Sequence, residues 1–171
     1  MPSIHLIERN LKVLAVDPNE VQRTASATFE ASVRRLKEDG HYHCWVCGTT
    51  EGIQIHHRFC EWQYGTIVDF DLLKEACEEW DVYGYGKVLK AQPITTVDDI
   101  RNQLALCQRH HTGVDHTDGS QGTGIHDMDF PTWLIQKLAR KGLEPVPQDG
   151  ETGDQVLQRI ESALAAQKEG S

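Results

Sequence analysis

Nine histidines and five cysteines carry most of the chemistry this chain can offer, and the informative ones fall into short-spaced groups. Cys44-x-x-Cys47 is a thiolate pair at the spacing of a metal-binding knuckle, and Cys107-x-x-His110 is a second ligand pair. Two such pairs on separate knuckles can surround Zn²⁺ tetrahedrally and leave no open position, so the ion they imply is structural. A filled Cys₃His shell would also stabilise a chain whose hydrophobic fraction, 39%, predicts a small core. A redox role for Cys44-x-x-Cys47 lacks the βαβ setting of such motifs. Cys60 and Cys77 are left over and read as inert buried thiols.

A second set of residues remains after those ligands. His56 and His57 are adjacent at the end of an alternating stretch, and His111 directly follows His110. Consecutive helical residues point about 100° apart, so His110 can face one metal while His111 faces another site. Cys-x-x-Cys, a strand ending in His-His, and then Asn102-x-Leu-x-Leu-Cys-x-x-His-His together resemble the HNH endonucleases, with their ββα-metal motif. The resemblance runs from Cys44 to His111.

By motif position, it implies His56 as a ligand of the catalytic divalent metal and His57 as the general base. It implies Asn102 as the brace of the loop and His111 as the second metal ligand. The implied activity is metal-dependent hydrolysis of phosphodiester bonds in DNA. The implied catalytic ion is Mg²⁺ or Mn²⁺, with Ni²⁺ or Zn²⁺ also compatible with imidazole ligands. The implied setting is the cytoplasm of a bacterium or phage-infected cell, with phage or mobile-element biology.

The chain departs from the family pattern in places. The gap from His57 to Asn102 is long, and His110 stands where a fourth cysteine is commoner. After His111 the chain reads Thr-Gly-Val-Asp-His instead of a basic helix. On a regular strand His56 and His57 would point to opposite faces, so both implied roles require the strand to end or twist between them. His116 and His126 flank a Gly-rich loop and, with Asp115, can line a cleft or supply a ligand; the plainer reading is a surface histidine in each case.

The elements that must position these residues follow from periodicity. Asp17 as cap, Pro18 at the first helical position and Glu20 three residues after the cap predict a helix from Asp17 to Gly40. Val21, Ala25, Phe29, Val33 and Leu36 would form its buried stripe. A second helix is predicted from Asp69 to about Trp80, with Phe70, Leu73, Ala76, Cys77 and Trp80 on one face. Asp129-Phe-Pro-Thr-Trp opens another, running to Gly142, and Thr152 with Gln155 forms a capping box for the last. The expected fold is α+β: a small zinc-stabilised ββα-metal (HNH) core with flanking α-helices. Residues 1–40 read as an N-terminal helical extension and 41–142 as the nuclease core with an acidic insertion at 61–100. Residues 143–151 read as a linker and 152–171 as a C-terminal helix.

Length and charge bound the function. The 171 residues fit one domain with extensions, and no apolar run approaches a membrane span. The stretch from Met1 to Arg9 has no long apolar segment of a secretory signal, which reads as a cytosolic chain. Net charge is −9, against the basic footprint usual for nucleic-acid binding. Segment 61–100, with nine Asp and Glu against three Lys, carries most of it and leaves the remainder near neutral. That segment reads as a solvated face, a cover for the cleft or a contact for a protein partner. The alternative to a nuclease is a catalytically silent zinc-binding adaptor or inhibitor module on the same scaffold.

Overall fold

The computed structural model describes residues 15, 18, 24–113, 124–128, 130–147 and 150–169, and its centre is a two-stranded antiparallel sheet. Asp17, Glu20, Val21, Asp115, His116, Asp129 and most of the Gly-rich loop lie outside those residues. Strand β1 (Ile53–His57) pairs with β2 (Gln103–Cys107), Ile53 opposite Cys107 and His57 opposite Gln103. Beyond the ladder, the Arg58 N–H donates to the Asn102 carbonyl at 2.6 Å. Two strands alone are marginal in water, so the sheet depends on what covers it. All of β2 is buried.

Helix α1 (Ala27–Glu38) covers one side. It does not begin at Asp17: Thr24 to Ser26 are not helical, and the Ser26 hydroxyl accepts from the Phe29 N–H at 3.0 Å as the N-cap. A serine hydroxyl satisfies a donor that a longer helix would have bonded internally, which explains the later start. Leu36 is fully buried and packs with Tyr85 and Ile100, while Phe29 and Val33 are half-buried.

The long segment between the strands builds the main core. Helix α2 (Phe70–Glu79) starts at Asp69, whose carboxylate accepts from the Asp71 and Leu72 N–H groups. Its buried stripe is Leu73, Ala76 and Cys77, and Trp80 at its end is half exposed. These residues pack with Tyr64, Ile67, Val68, Ile94 and Val97. The acidic side chains Asp71, Glu75 and Glu79 face outward. Segment 61–100 therefore supplies core as well as a charged surface. A short helix α3 (Tyr85–Val88) follows, and the buried Arg101 guanidinium then gathers the return loop, donating to Asp99 and to the carbonyls of Leu89, Gln92 and Pro93.

Helix α4 (Gln108–Thr112) continues directly from β2. Helix α5 (Phe130–Leu138) stops four residues before Gly142, because its end joins the chain at residues 67–69: the Asp69 N–H donates to Leu138 and the Arg140 N–H to Ile67. The stretch after it is packed rather than loose, with Leu143 buried and Arg159 donating to the Gly142 and Glu144 carbonyls. Helix α6 (Gly153–Glu169) opens on the expected box: the Thr152 N–H donates to Gln155 Oε1 and the Gln155 N–H to Thr152 Oγ1. It buries Val156 and Ile160 in the main core. The whole is a small α+β fold, and no helix among the described residues is long and apolar enough to cross a membrane.

Candidate metal centres

Cys44 and Cys47 flank a turn before β1, closed by the Gly48 N–H donating to the Cys44 carbonyl at 2.7 Å. Cys107 ends β2 and His110 lies one turn into α4. The sheet register sets Ile53 against Cys107, which brings the two half-sites face to face. Cys107 Sγ lies 3.2 Å from His110 Nδ1, Cys44 Sγ 3.4 Å from the same nitrogen, and Cys47 Sγ 4.0 Å from Cys107 Sγ. Zinc bond lengths in a tetrahedron imply S···S near ~3.8 Å and S···N near ~3.6 Å. The four ligand atoms, all within 4.8 Å of one another, fit such an ion. Burial pushes the Cys44 thiol up, but hydrogen bonds from the backbone N–H groups of Cys107, Cys47 and Val46 outweigh it and bring it down to about 6. That favours the thiolate a metal needs. Cys60 and Cys77 sit apart in the main core, and burial raises both thiols, Cys77 to about 12.

A second cluster lies on the other side of α4. His56, His111 and His126 offer ring nitrogens within 4.8 Å of one another. His111 Nε2 and His126 Nε2 are 2.9 Å apart, and the His56 ring stands edge-on to both. His111 Nδ1 faces Gln54 Oε1, a pure acceptor, so that nitrogen carries the proton and Nε2 presents its lone pair to the cluster. His56 is 2% exposed and its Nε2 has no hydrogen-bond partner, with Glu61 Oε1 standing 3.5 Å away without forming one. An unsatisfied buried ring nitrogen is costly, and a bound ion removes that cost. Burial, then the neighbouring imidazoles, pull the His56 pKa down to about 3, and burial followed by His126 pulls His111 to about 4. Both rings are neutral at pH 7 and ready to ligate.

His126 reaches the cluster from a 3₁₀ turn, Ile125–Asp127, docked on the end of α4. The docking depends on Gly124: a Cβ there would stand 2.3 Å from the Gly113 nitrogen and 2.6 Å from the His111 carbonyl oxygen. Glu61 Oε1 lies 3.9 Å from His126 Nδ1 and closes the rim. Sequence spacing marks His126 only as a loop histidine; Glu61, Gln54 and Gly124 carry no spacing signal toward this site.

His57 goes elsewhere. Strand β1 includes both histidines, each paired with β2, so they part to opposite faces. His57 is 4% exposed, its Nε2 lies 2.7 Å from Asp98 Oδ1, and its ring sits 5.9 Å from Phe29 of α1. Ser26 donates to the other Asp98 oxygen and the Ser32 hydroxyl to the Asp98 carbonyl, so α1 is fastened over this pair.

Asn102 links the faces. Fully buried, its Oδ1 accepts from the Phe59 and Cys60 N–H groups, and its Nδ2 donates to the Cys60 and Val97 carbonyls. The turn that follows His57 is held by this one side chain. Comparison with family models, with curated proteins and with solved structures gave no match.

Proposed function

We propose that the chain is a metal-dependent endonuclease of the HNH type, hydrolysing phosphodiester bonds in DNA. The observation that carries the reading is the trio His56, His111 and His126, with the His56 Nε2 atom buried and without a hydrogen-bond partner, beside a separate Cys₃His cluster. Three protein nitrogens leave coordination positions for phosphate and water. A divalent ion held there would supply positive charge against the charge that builds on the phosphate in the transition state. The all-nitrogen set suits Mn²⁺, Ni²⁺ or Zn²⁺ better than Mg²⁺, which prefers oxygen ligands. The cluster Cys44, Cys47, Cys107 and His110 would hold the structural Zn²⁺.

The chain's own residues divide the remaining work. For His57 to take the proton from the attacking water, α1 must lift from it, since His57 lies buried beneath that helix on the face of β1 opposite His56. The water oxygen bonds to phosphorus as the bond to the leaving oxygen breaks, and solvent protonates that oxygen. Asp98 orients the His57 ring and stabilises the imidazolium that results. Asn102 keeps the turn after His57 in place.

One observation favours a second reading, a catalytically silent zinc-binding adaptor or inhibitor. His57 is buried beneath α1 with its Nε2 on Asp98, and the chain carries a net −9 that repels phosphate. Plasmid nicking with Mn²⁺, Ni²⁺, Zn²⁺ and Mg²⁺, comparing the protein with His56→Ala and His57→Ala at unchanged zinc content, separates the two. Metal-dependent nicking lost in both variants supports the nuclease. A folded, zinc-loaded protein that never nicks supports the adaptor.

A further inference from the structure

Next to the histidine cluster lies an apolar cleft of about 140 Å³ that holds none of the metal-site nitrogens or sulfurs. Its walls include Trp45, Trp80, Met128 and Phe130, with the buried Arg58 among its lining. Three different elements hold these side chains at the surface. Trp45 sits in the turn between Cys44 and Cys47, its backbone N–H donating to the Ala105 carbonyl at 2.9 Å, and is 49% exposed. Trp80 ends α2 at 51% exposed and stands edge-on to Phe130 at 6.3 Å. Met128, 46% exposed, follows the turn that carries His126. Apolar side chains scattered singly are ordinary, but a contiguous set around one cleft marks a binding surface.

The cleft borders the metal centre through Met128. Met128 also lines a neighbouring depression whose other walls include Glu61, Gln63 and His126. A strand with a phosphate at the histidine cluster can therefore lay an adjacent group into the aromatic cleft.

Two features select the occupant. The walls are flat and apolar, which suits a neutral ring and not a phosphate or a charged side chain. Beneath them the Arg58 guanidinium stacks on Phe59 at 4.3 Å and donates to the Trp80 and Arg101 carbonyls, yet its Nε has no hydrogen-bond partner. Arg58 also contributes to the lining, and a cation there favours a π-rich ring above it. A chain of net −9 has little electrostatic affinity for a duplex, whereas stacking on aromatic side chains adds affinity without positive charge.

We propose that this cleft receives an unstacked nucleobase of the strand whose phosphate lies at His56, His111 and His126. The preferred substrate is then single-stranded or locally splayed DNA. With no side-chain hydroxyl, amide or carboxylate in the lining to read base edges, the site tolerates sequence. The proposal rests on the phosphodiester reading above and names the substrate form for it.

The test uses the full, zinc-loaded chain and an assay independent of cleavage. Binding of a short fluorescent oligothymidylate, of the same strand with abasic positions, and of a duplex is measured by anisotropy without added catalytic metal. The single strand should bind more tightly than the duplex, and abasic positions should weaken it about tenfold or more. Trp80→Ala should weaken the intact strand to a similar degree and leave the abasic strand unaffected. Trp80→Phe should retain most of the affinity, with zinc content and melting unchanged. Equal binding of intact and abasic strands, or intact binding by Trp80→Ala, overturns the proposal. So does concentration-dependent dimerisation abolished by Trp80→Ala, which assigns the cleft to a second copy. Plasmid nicking by the same proteins keeps the two questions apart. Nicking without any base dependence of binding removes the cleft and spares the nuclease; base-dependent binding without nicking keeps the cleft and removes the nuclease.

Discussion

Replacing Asn102 by alanine is expected to destabilise the protein strongly. The side chain is fully buried and serves four backbone groups: the Phe59 N–H, the Cys60 N–H, the Cys60 carbonyl and the Val97 carbonyl. Val97 keeps a second donor in Gln103 Nε2 at 3.3 Å, so three groups lose the partner Asn102 supplied. At roughly 1–3 kcal/mol for each buried group left unsatisfied, the loss is at least about 3 kcal/mol. Against a typical total of roughly 5–15 kcal/mol, that is a large share. It corresponds to a fall in melting temperature of roughly 6–12 °C for a chain of this size. Urea denaturation followed by circular dichroism, with zinc saturating, measures it.

Asn102→Asp sharpens the test. Its carboxylate keeps the two N–H donors but turns an oxygen toward the Cys60 and Val97 carbonyls, which sit 2.9 and 2.8 Å from the present Nδ2. Burial and those carbonyls raise its folded-state pKa above the unfolded value of about 3.9. The folded state then binds more protons between the two values, so stability relative to the parent protein falls as pH rises through that window and recovers on acidification. An alanine variant within about 1 kcal/mol of the parent, or an aspartate variant insensitive to pH, would refute the reasoning.

Other outcomes follow from the same geometry. Gly124→Ala should displace the turn bearing His126 and weaken divalent-ion binding at the histidine cluster, while the zinc content of the Cys₃His site stays at one equivalent; calorimetry with Mn²⁺ or Ni²⁺ reads it. Gln54→Ala removes the group that orients His111 and should weaken the same ion by about 10–100-fold in that titration. His56 and His111 have folded-state pKa values of about 3 and 4, below the unfolded 6.5, so the unfolded state binds more protons between them. Without an ion at that cluster, stability should be full above about pH 6.5 and fall as pH drops, less steeply in His56→Gln; urea midpoints across pH report it. Asp98→Asn should slow metal-dependent nicking at least about tenfold while both metal contents hold, and an unchanged rate removes Asp98 from the reaction.

The pairing of Cys44 and Cys47 with Cys107 and His110 is legible in the sequence because each half-site is a local spacing, and local chain geometry alone puts two ligands within reach of one ion. The helices over residues 70–79 and 153–169 are legible for a similar reason: cap chemistry and apolar period are short-range properties. The start of α1 is not. Asp17 and Ser26 both offer cap chemistry, and what favours Ser26 is a hydroxyl that also reaches Asp98, far away in sequence.

The sequence by itself therefore determined which residues are able to bind metal, the α+β class and the helical segments that carry the core. Beyond His56 and His111, tertiary structure alone decided the membership of the second site. His126, Glu61 and Gln54 come from three separate segments, and a loop histidine becomes a candidate ligand only because Gly124 lets its turn approach α4. The same holds for the separation of His56 from His57. Adjacent residues on a strand that continues through both must face opposite ways, and only the pairing of β1 with β2 shows that it continues.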